Sequence, residues 1–425
     1  MSRSRPRRAS RLGGASRPRR GGPPAVLVVV QNLALPGDRR VWLECQALRD
    51  AGLEVAAITP MAPGGDPAYA CVDGVHLYKY PAPPPSSGVA SFVREFAYCW
   101  LQTARLAATV WRRHRVTVFQ ACNPPDTFWL LALLLRPFGV RFVFDQHDLC
   151  PEVYQSRFAR PNRVLLGLLR LLERATYATA DHVIATNDSY RDVALRRGGC
   201  EPEDVTVVRT GPDPQVMRAG SAHPALKQGR PSLACFLGVM GPQDGVHVLL
   251  DAADVLVNEW GRRDVTFAVL GGGDCWAELR AKRDVLGLAE YVHMPGRVSD
   301  EEMSAYFSTA DVGLSPDPPG PLNDVSTMNK TMEYMAFGLP VLAFDLAETR
   351  VSADEAAEYV EEPTARAYAE ALVKLLENDA RRAAMGAAGR RRVEEVLAWQ
   401  YQEPAYVQAI RRIATRTHHG EGFTP

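Results

Sequence analysis

The stretch STMNKTMEYMAFGLPVLAFD, residues 326–345, sets an amide, an ammonium and a carboxylate (Asn329, Lys330 and Glu333) directly before a run apolar enough for core. Glu333 falls where the pattern predicts a helix to begin, and Gly338-Leu339-Pro340 breaks that pattern ahead of a β-like run. An acid in a first helical turn gains from the helix dipole, whereas Lys330 stands at the wrong end for it. Lys330 makes sense there if the helix N-terminus hosts an anion that it also neutralises. Glu333 then accepts hydrogen bonds from vicinal hydroxyls, as an acidic residue does for ribose in dinucleotide folds. A phosphate beside a ribose points to a nucleotide.

Two further stretches join this reading. Gly238-Val-Met-Gly241-Pro-Gln-Asp-Gly245 is a glycine-rich turn opening a helix, where exposed N–H groups favour phosphate. It matches neither G-x-G-x-x-G nor G-x-x-x-x-G-K-[ST], which argues against a nicotinamide site or a P-loop. Gly271-Gly272-Gly273-Asp274 is read as a second wall of the same pocket, with Arg297 and Val298 in the next turn positioned to read a base edge. In the first half, VFDQHDLCPEVY ends a strand at Asp145 and follows it with His147, Asp148 and Glu152, a polar cluster at a strand end. Asn32, Asp38 and Arg39 lie in the first strand-to-helix loop and are assigned to the same, acceptor-facing side. Each stretch also has a plainer reading, as a tight turn or a loop histidine making a structural hydrogen bond.

The elements that must position these residues alternate short β-branched runs with helical patterns, the signature of parallel α/β folds. Strands are expected at 25–31, 54–58, 117–120, 141–145 and 182–185, then at 232–237, 265–270, 291–294, 312–315, 341–344 and 358–359. The expected organisation is a basic tail 1–24, a doubly wound domain 25–215, a linker 216–230, a second doubly wound domain 231–397, a helix 398–415 packing back on the first domain, and a tail 416–425. Open α/β sheets bind ligands at the carboxyl ends of their strands, so two such domains facing across a cleft predict a two-substrate enzyme.

Composition narrows the class. The chain has 425 residues, long for one core, with 46% apolar and 23% charged residues, ordinary globular values. Net charge is zero, but residues 1–24 carry eight arginines and no acid, leaving −8 on the remainder. Such a tail cannot bury enough apolar surface to fold and reads as a solvated extension, or as an electrostatic contact with anionic lipid. Nothing in the body of the chain supports nucleic acid. The run 25–30 is far too short for a secretory core or a membrane span, and the eight scattered cysteines read as reduced thiols. No Cys/His cluster has ligand spacing, so no zinc site is expected. A cytoplasmic protein follows, with peripheral contact on the inner face of the membrane suggested by the tail and by VLLGLLRLLERA among Arg157, Arg160, Arg163 and Arg170. The alternative for that helix is burial of its leucines in the core.

Taken together, KTMEYMAFGLPVLAFD, GVMGPQDG, VLGGGD, VHMPGRVSDEEMSAYFSTADVGLSP and FDQHDLCPE resemble the retaining GT-B glycosyltransferases of family 4, over about residues 25–415. The resemblance implies two Rossmann-like domains, the first for an acceptor and the second for a sugar nucleotide. It also implies transfer to a hydroxyl with retention and without a metal or other cofactor. It matches Glu333 to the acid that holds the ribose, His147 to the histidine near the transferred sugar, and Arg297-Val298 to the segment against the base. The acceptor is a carbohydrate, a lipid-linked molecule or a small molecule.

The sequence departs from that pattern in two places. Val325 stands where an acid is common, eight positions before Glu333. Val239 and Asp244 stand where an Arg and a Lys commonly clamp the diphosphate, and losing both cations weakens charge stabilisation of the leaving group. A branch of the family carries the N-K-x-x-E-Y-M-A pattern found at 329–336, so Lys330 is expected to take over the diphosphate contact. The rival readings are a sugar-nucleotide epimerase of the same architecture and a non-catalytic binding scaffold. A dehydrogenase, lacking its fingerprint, ranks last.

Overall fold

In the computed structural model, residues 23–62, 64–83, 89–158 and 160–415 are described; the tail expected at 1–24 lies almost wholly outside them, as does that at 416–425. The chain forms two compact units, one of residues 1–122, 130–142 and 413–425, the other of residues 123–129 and 143–412.

In the first unit, strands run in the order β3 (Tyr69–Val72), β4 (Val75–Tyr80), β2 (Glu54–Pro60), β1 (Ala25–Val29), β5 (Val116–Cys122). β1 is buried along its whole length, as expected of a strand covered on both faces. It pairs in parallel with β2 and β5, and β3–β4 is an antiparallel hairpin closed at Asp73-Gly74. That hairpin is an addition to the expected strand series, although Asp-Gly between β-rich runs is a strong hairpin signal.

The second unit holds most of β6 (Arg141–Gln146), then β7 (His182–Ala185) and β8 (Val205–Val207), parallel in that order. It also holds a six-stranded sheet ordered β11 (Val292–Gly296), β10 (Val265–Gly272), β9 (Ser232–Val239), β12 (Val312–Ser315), β13 (Val341–Phe344), β14 (Ala357–Val360). This sheet is parallel throughout, with apolar clusters on both faces, the doubly wound arrangement.

Residues 143–215 fall in the same compact unit as the second sheet, and side-chain bonds explain why. Asn187 Nδ2 donates to the Val325 carbonyl and to Thr327 Oγ1, both at 2.9 Å. Buried Glu348 accepts from Ser189 Oγ at 2.6 Å and pairs with Arg209 at 3.3 Å. The segment 216–230 is tethered too: Arg390 donates to the Met217 carbonyl at 2.9 Å, and Lys227 pairs with Asp311 at 2.8 Å. Residues 399–412 of the Trp399–Thr415 helix belong to the second unit, where Arg412 donates to the Glu203 carbonyl at 2.5 Å.

Candidate functional site

The carboxyl ends of β9, β10 and β12 converge in the second unit. β9 and β10 run in register to their ends, Gly238 opposite Gly271 and Val239 opposite Gly272. They approach so closely that a Cβ on Gly271 would lie 1.9 Å from the Gly238 carbonyl oxygen, and Gly271 has φ +121°. Gly245, at φ +69°, packs its Cα against the backbone after β12, where a Cβ would meet the Pro316 oxygen at 1.9 Å. The glycines of the 238–245 loop thus let three strand ends meet.

Onto this junction the Asn329–Ala336 helix brings Lys330. The helix starts at Asn329, so the expectation that Glu333 opens it is corrected: Asn329 and Lys330 occupy the first turn and Glu333 the second. Met328 is the N-cap and offers no side-chain acceptor, which leaves the first N–H groups without a cap from that residue. The apolar face is secured by buried Met332, Met335 and Leu339 as the pattern implied. Tyr334 does more than fill space. Its hydroxyl donates to the Leu314 carbonyl at 3.0 Å and accepts from Leu237 N at 2.8 Å, tying the helix to β12 and β9.

The Lys330 ammonium is 2.5 Å from Asp317 Oδ1, and Asp317 Oδ2 accepts from Ser315 Oγ at 2.6 Å. Lys330 also sits 5.0 Å from the Phe236 ring centroid, a favourable cation–π distance. A Cβ on Gly238 would be 3.5 Å from Lys330 Cε, so lysine and glycine loop are immediate neighbours. Asp244, where a cation is common in the resembling family, accepts from Gly241 N at 2.9 Å. Burial pushes its carboxyl up to about 6, with Asp317 adding to the rise and Lys330, the Gly241 N–H and Arg157 opposing it. Asn323 Nδ2 bridges the carbonyls of Gln243 and Pro318 at 2.9 and 2.8 Å, holding the two loops together.

Of the other donor-side residues, Gly272 ends β10 and a Cβ there would touch Arg297 Cγ at 3.8 Å, so these two are adjacent. Arg297 is exposed, while Val298 packs on the apolar cluster under the helix. Asn329 is exposed and Glu333 partly buried.

A second polar cluster surrounds the end of β6. His147 Nε2 is 2.9 Å from Asp145 Oδ2, and Asp145 is fully buried. The loop is clamped by a residue absent from the candidate set, Asn123. Its Oδ1 accepts from the N–H groups of His147 and Asp148 at 2.7 and 3.1 Å. Its Nδ2 donates to the Asp148 carbonyl at 2.7 Å and to Asp126 Oδ1 at 2.9 Å. Burial raises the carboxyl of Asp148, against the charges of His147 and Arg157, and lifts that of Asp126 to about 6. Glu152 is held by Arg197, which donates to its two oxygens at 2.5 and 3.1 Å and to Glu173 at 2.7 Å. Arg157, from the same Cys150–Arg157 helix, reaches Asp274 at 3.4 Å.

Asn32, Asp38 and Arg39 belong to the first unit. Asn32 and Arg39 are exposed, and Asp38 caps the Arg39–Asp50 helix by accepting from Val41 N at 3.1 Å.

Sequence comparison matches the two halves of the chain to two different domain families. Residues 37–211 match the family described as "Glycosyl transferase 4-like domain", and residues 231–378 match "Glycosyl transferases group 1". A D-inositol 3-phosphate glycosyltransferase of Kineococcus radiotolerans is 28% identical over 262 residues, 56% of this chain and 59% of that protein. The chain spans about half the length of the curated relatives it matches. Among solved structures, sucrose-phosphate synthase from Thermosynechococcus elongatus superposes with TM-score 0.73 at 18% identity, covering 92% of this chain and 99% of that one. Anabaena HepE in complex with UDP-glucose gives TM-score 0.65 at 14% identity, covering 91% and 99%. These likenesses establish the GT-B architecture of two Rossmann-like domains. The chain thus carries a match to a glycosyl transferase 4-like domain in its first half and to a glycosyl transferases group 1 domain in its second, on a GT-B fold.

Proposed function

We propose that this protein transfers a sugar from a nucleotide-diphosphate sugar to an acceptor hydroxyl, with retention of configuration and without a metal. The observation that carries the reading is the meeting of the 238–245 glycine loop with Lys330 at the uncapped start of the Asn329–Ala336 helix. A diphosphate there is met by backbone N–H groups and one ammonium, the groups that stabilise charge developing on a leaving phosphate. Glu333, a turn further along, takes the ribose hydroxyls, and Arg297 with Val298 lies against the base. His147, oriented by Asp145, stands on the sugar side. The hydroxyl attacks on the face the leaving group vacates, and a leaving phosphate oxygen takes its proton. No carboxylate is assigned as a nucleophile.

Thermal shift across sugar nucleotides tests the donor, since a ligand raises the melting temperature only if it binds the folded state. Transfer to an acceptor panel with the hits then tests the reaction, and a donor processed without any acceptor favours the epimerase reading instead. Asp244 in the diphosphate loop favours one further alternative, a scaffold that binds without turnover; hits that shift the melting temperature but yield neither transfer nor hydrolysis identify it.

Peripheral membrane contact is supported by the Arg163–Thr179 helix. It leaves Val164 82% and Leu171 63% exposed, with Leu168 between them and Arg163, Arg170 and Arg174 beside them. Co-sedimentation with anionic vesicles, lost in Val164→Ser/Leu171→Ser, tests it. Among the described residues no helix is long and apolar enough to cross a membrane.

A further inference from the structure

Glu54, His76 and His114 belong to the first unit and have no part in the proposed transfer. Glu54 opens β2, His76 lies in the neighbouring β4, and His114 follows the Val89–Arg113 helix. Their ligand-capable atoms all lie within 4.8 Å of one another. His114 Nδ1 is 2.7 Å, and His76 Nε2 4.0 Å, from the same oxygen of Glu54.

The remaining nitrogen of each ring is already engaged. The Tyr69 hydroxyl is 2.9 Å from His76 Nδ1, and the Tyr78 hydroxyl 2.8 Å from His114 Nε2. This is how metal-binding imidazoles are held, one nitrogen fixed by an outer hydrogen bond so that the other faces the ion.

We propose that Glu54, His76 and His114 bind a divalent d-block cation, zinc foremost, that staples β2, β4 and the segment leading into β5. Two imidazoles and a carboxylate form a recurrent zinc ligand set, and a hard cation such as magnesium is poorly matched by nitrogen donors. With metal–ligand bonds of about 2.0–2.1 Å, tetrahedral ligand atoms stand about 3.3 Å apart, so the triangle closes by side-chain shifts on the order of 1 Å. His114 is buried while Glu54 and His76 are partly exposed, which gives the ion a way in. The antiparallel register sets Cys71 opposite His76, and strand alternation puts it on the face that carries Tyr69. The Cys71 sulfur is nevertheless outside the cluster formed by Glu54, His76 and His114, so the fourth position falls to water. Arg113, 5.9 Å from the Tyr78 ring centroid, is the opposing charge and limits affinity. Linear spacing hides such a set, because its members come from residues 54, 76 and 114 and only the fold brings them together.

The experiment uses the full chain carrying His418→Ala and His419→Ala, since that adjacent pair is an independent chelator. After stripping with a chelator, titration with zinc is expected to raise the melting temperature to a plateau at one equivalent. Cobalt is expected to give the visible absorption of a tetrahedral site. His76→Ala, a partly exposed position, should weaken zinc at least ~100-fold, and Tyr78→Phe about 10-fold through the lost outer hydrogen bond. Glu54→Gln serves as a second ligand variant should His76→Ala fold poorly. The proposal is overturned if zinc leaves the melting temperature unchanged, or if the ligand variants bind it as tightly as the parent.

Discussion

Lys330 and Asp317 form a buried ion pair, 2.5 Å between ammonium and carboxylate, with Asp317 only 2% exposed and Lys330 10%. The residue that sequence reasoning singled out as the lone cation on a diphosphate therefore has its own counter-ion. Asp317 fixes where the ammonium stands, and the glycine loop beside it supplies N–H groups for the anion. Breaking one side of such a pair leaves a charge stranded out of water.

The two roles of this lysine separate in a mutant cycle. Lys330→Met should lower transfer by ~10²–10³-fold, the scale of one lost charge-stabilising donor. It should also destabilise the fold by about 3–5 kcal/mol by orphaning Asp317. Asp317→Asn in the same chain should recover most of that stability and none of the activity, as read by urea denaturation and initial rates. Recovery of turnover in the double variant would remove Lys330 from the mechanism.

Asp244 sets a pH dependence. Its carboxyl is raised to about 6 in the folded chain, so between about pH 4 and 6 the unfolded chain ionises it while the folded chain does not. Stability from this group therefore falls as pH rises through that window and stays low above it. Asp244→Asn should stabilise the protein by about 1–3 kcal/mol at pH 8 and leave it nearly unchanged at pH 4. Donor affinity of the parent should be greater at pH 6 than at pH 8, and the variant should flatten that difference. Calorimetric titration with a nucleotide diphosphate at both pH values measures it.

Asn123 should behave as the keystone of the His147 loop. Asn123→Ala removes four side-chain hydrogen bonds around His147, Asp148 and Asp126. A loss of about 2–4 kcal/mol follows from leaving several of those groups unpaired. Hydrogen exchange should show protection lost at the amides of residues 147 and 148 before the global transition, with kcat falling more than donor affinity.

Two glycines of the same backbone conformation make a matched test of the strand junction. Gly245 (φ +69°) faces the Pro316 carbonyl, while Gly287 (φ +68°) has no atom within 4 Å of a built Cβ. Alanine at 287 should cost about 1–2 kcal/mol, the left-handed penalty alone. Alanine at 245 must also move the backbone after β12. It should cost clearly more and lower donor affinity, as measured by the same denaturation and titration.

Much of this was legible from periodicity. Strands β7, β12 and β13 fall where the β-branched runs put them, and the glycine loops lie at strand carboxyl ends as the fold class requires. Asp317 escaped because its role is conferred by the fold. It stands alone between two prolines, and only the return of the 329–336 helix brings an ammonium to it. Asn123 was hidden likewise, since an amide in a proline-rich turn gives no signal until β6 lays the His147 loop across it. Residues 69–80 form a hairpin outside the expected strands, although Asp73-Gly74 between β-rich runs signals one. The start of the 329–336 helix lies a turn earlier than expected because the expectation followed the apolar face and passed over Asn329, a residue type that favours helix starts.

The Tyr334 hydroxyl, held between Leu237 N and the Leu314 carbonyl, divides what selection can change here from what it cannot. Lys330 is indexed to the sheet twice, through that phenol and through Asp317. Within the intervening segment Asp317 and Asn323 are tied down, and the exposed turn with Pro319 and Pro321 is what can change while the ammonium keeps its coordinates. New specificities can be explored along that turn without relocating the charge proposed to meet the diphosphate.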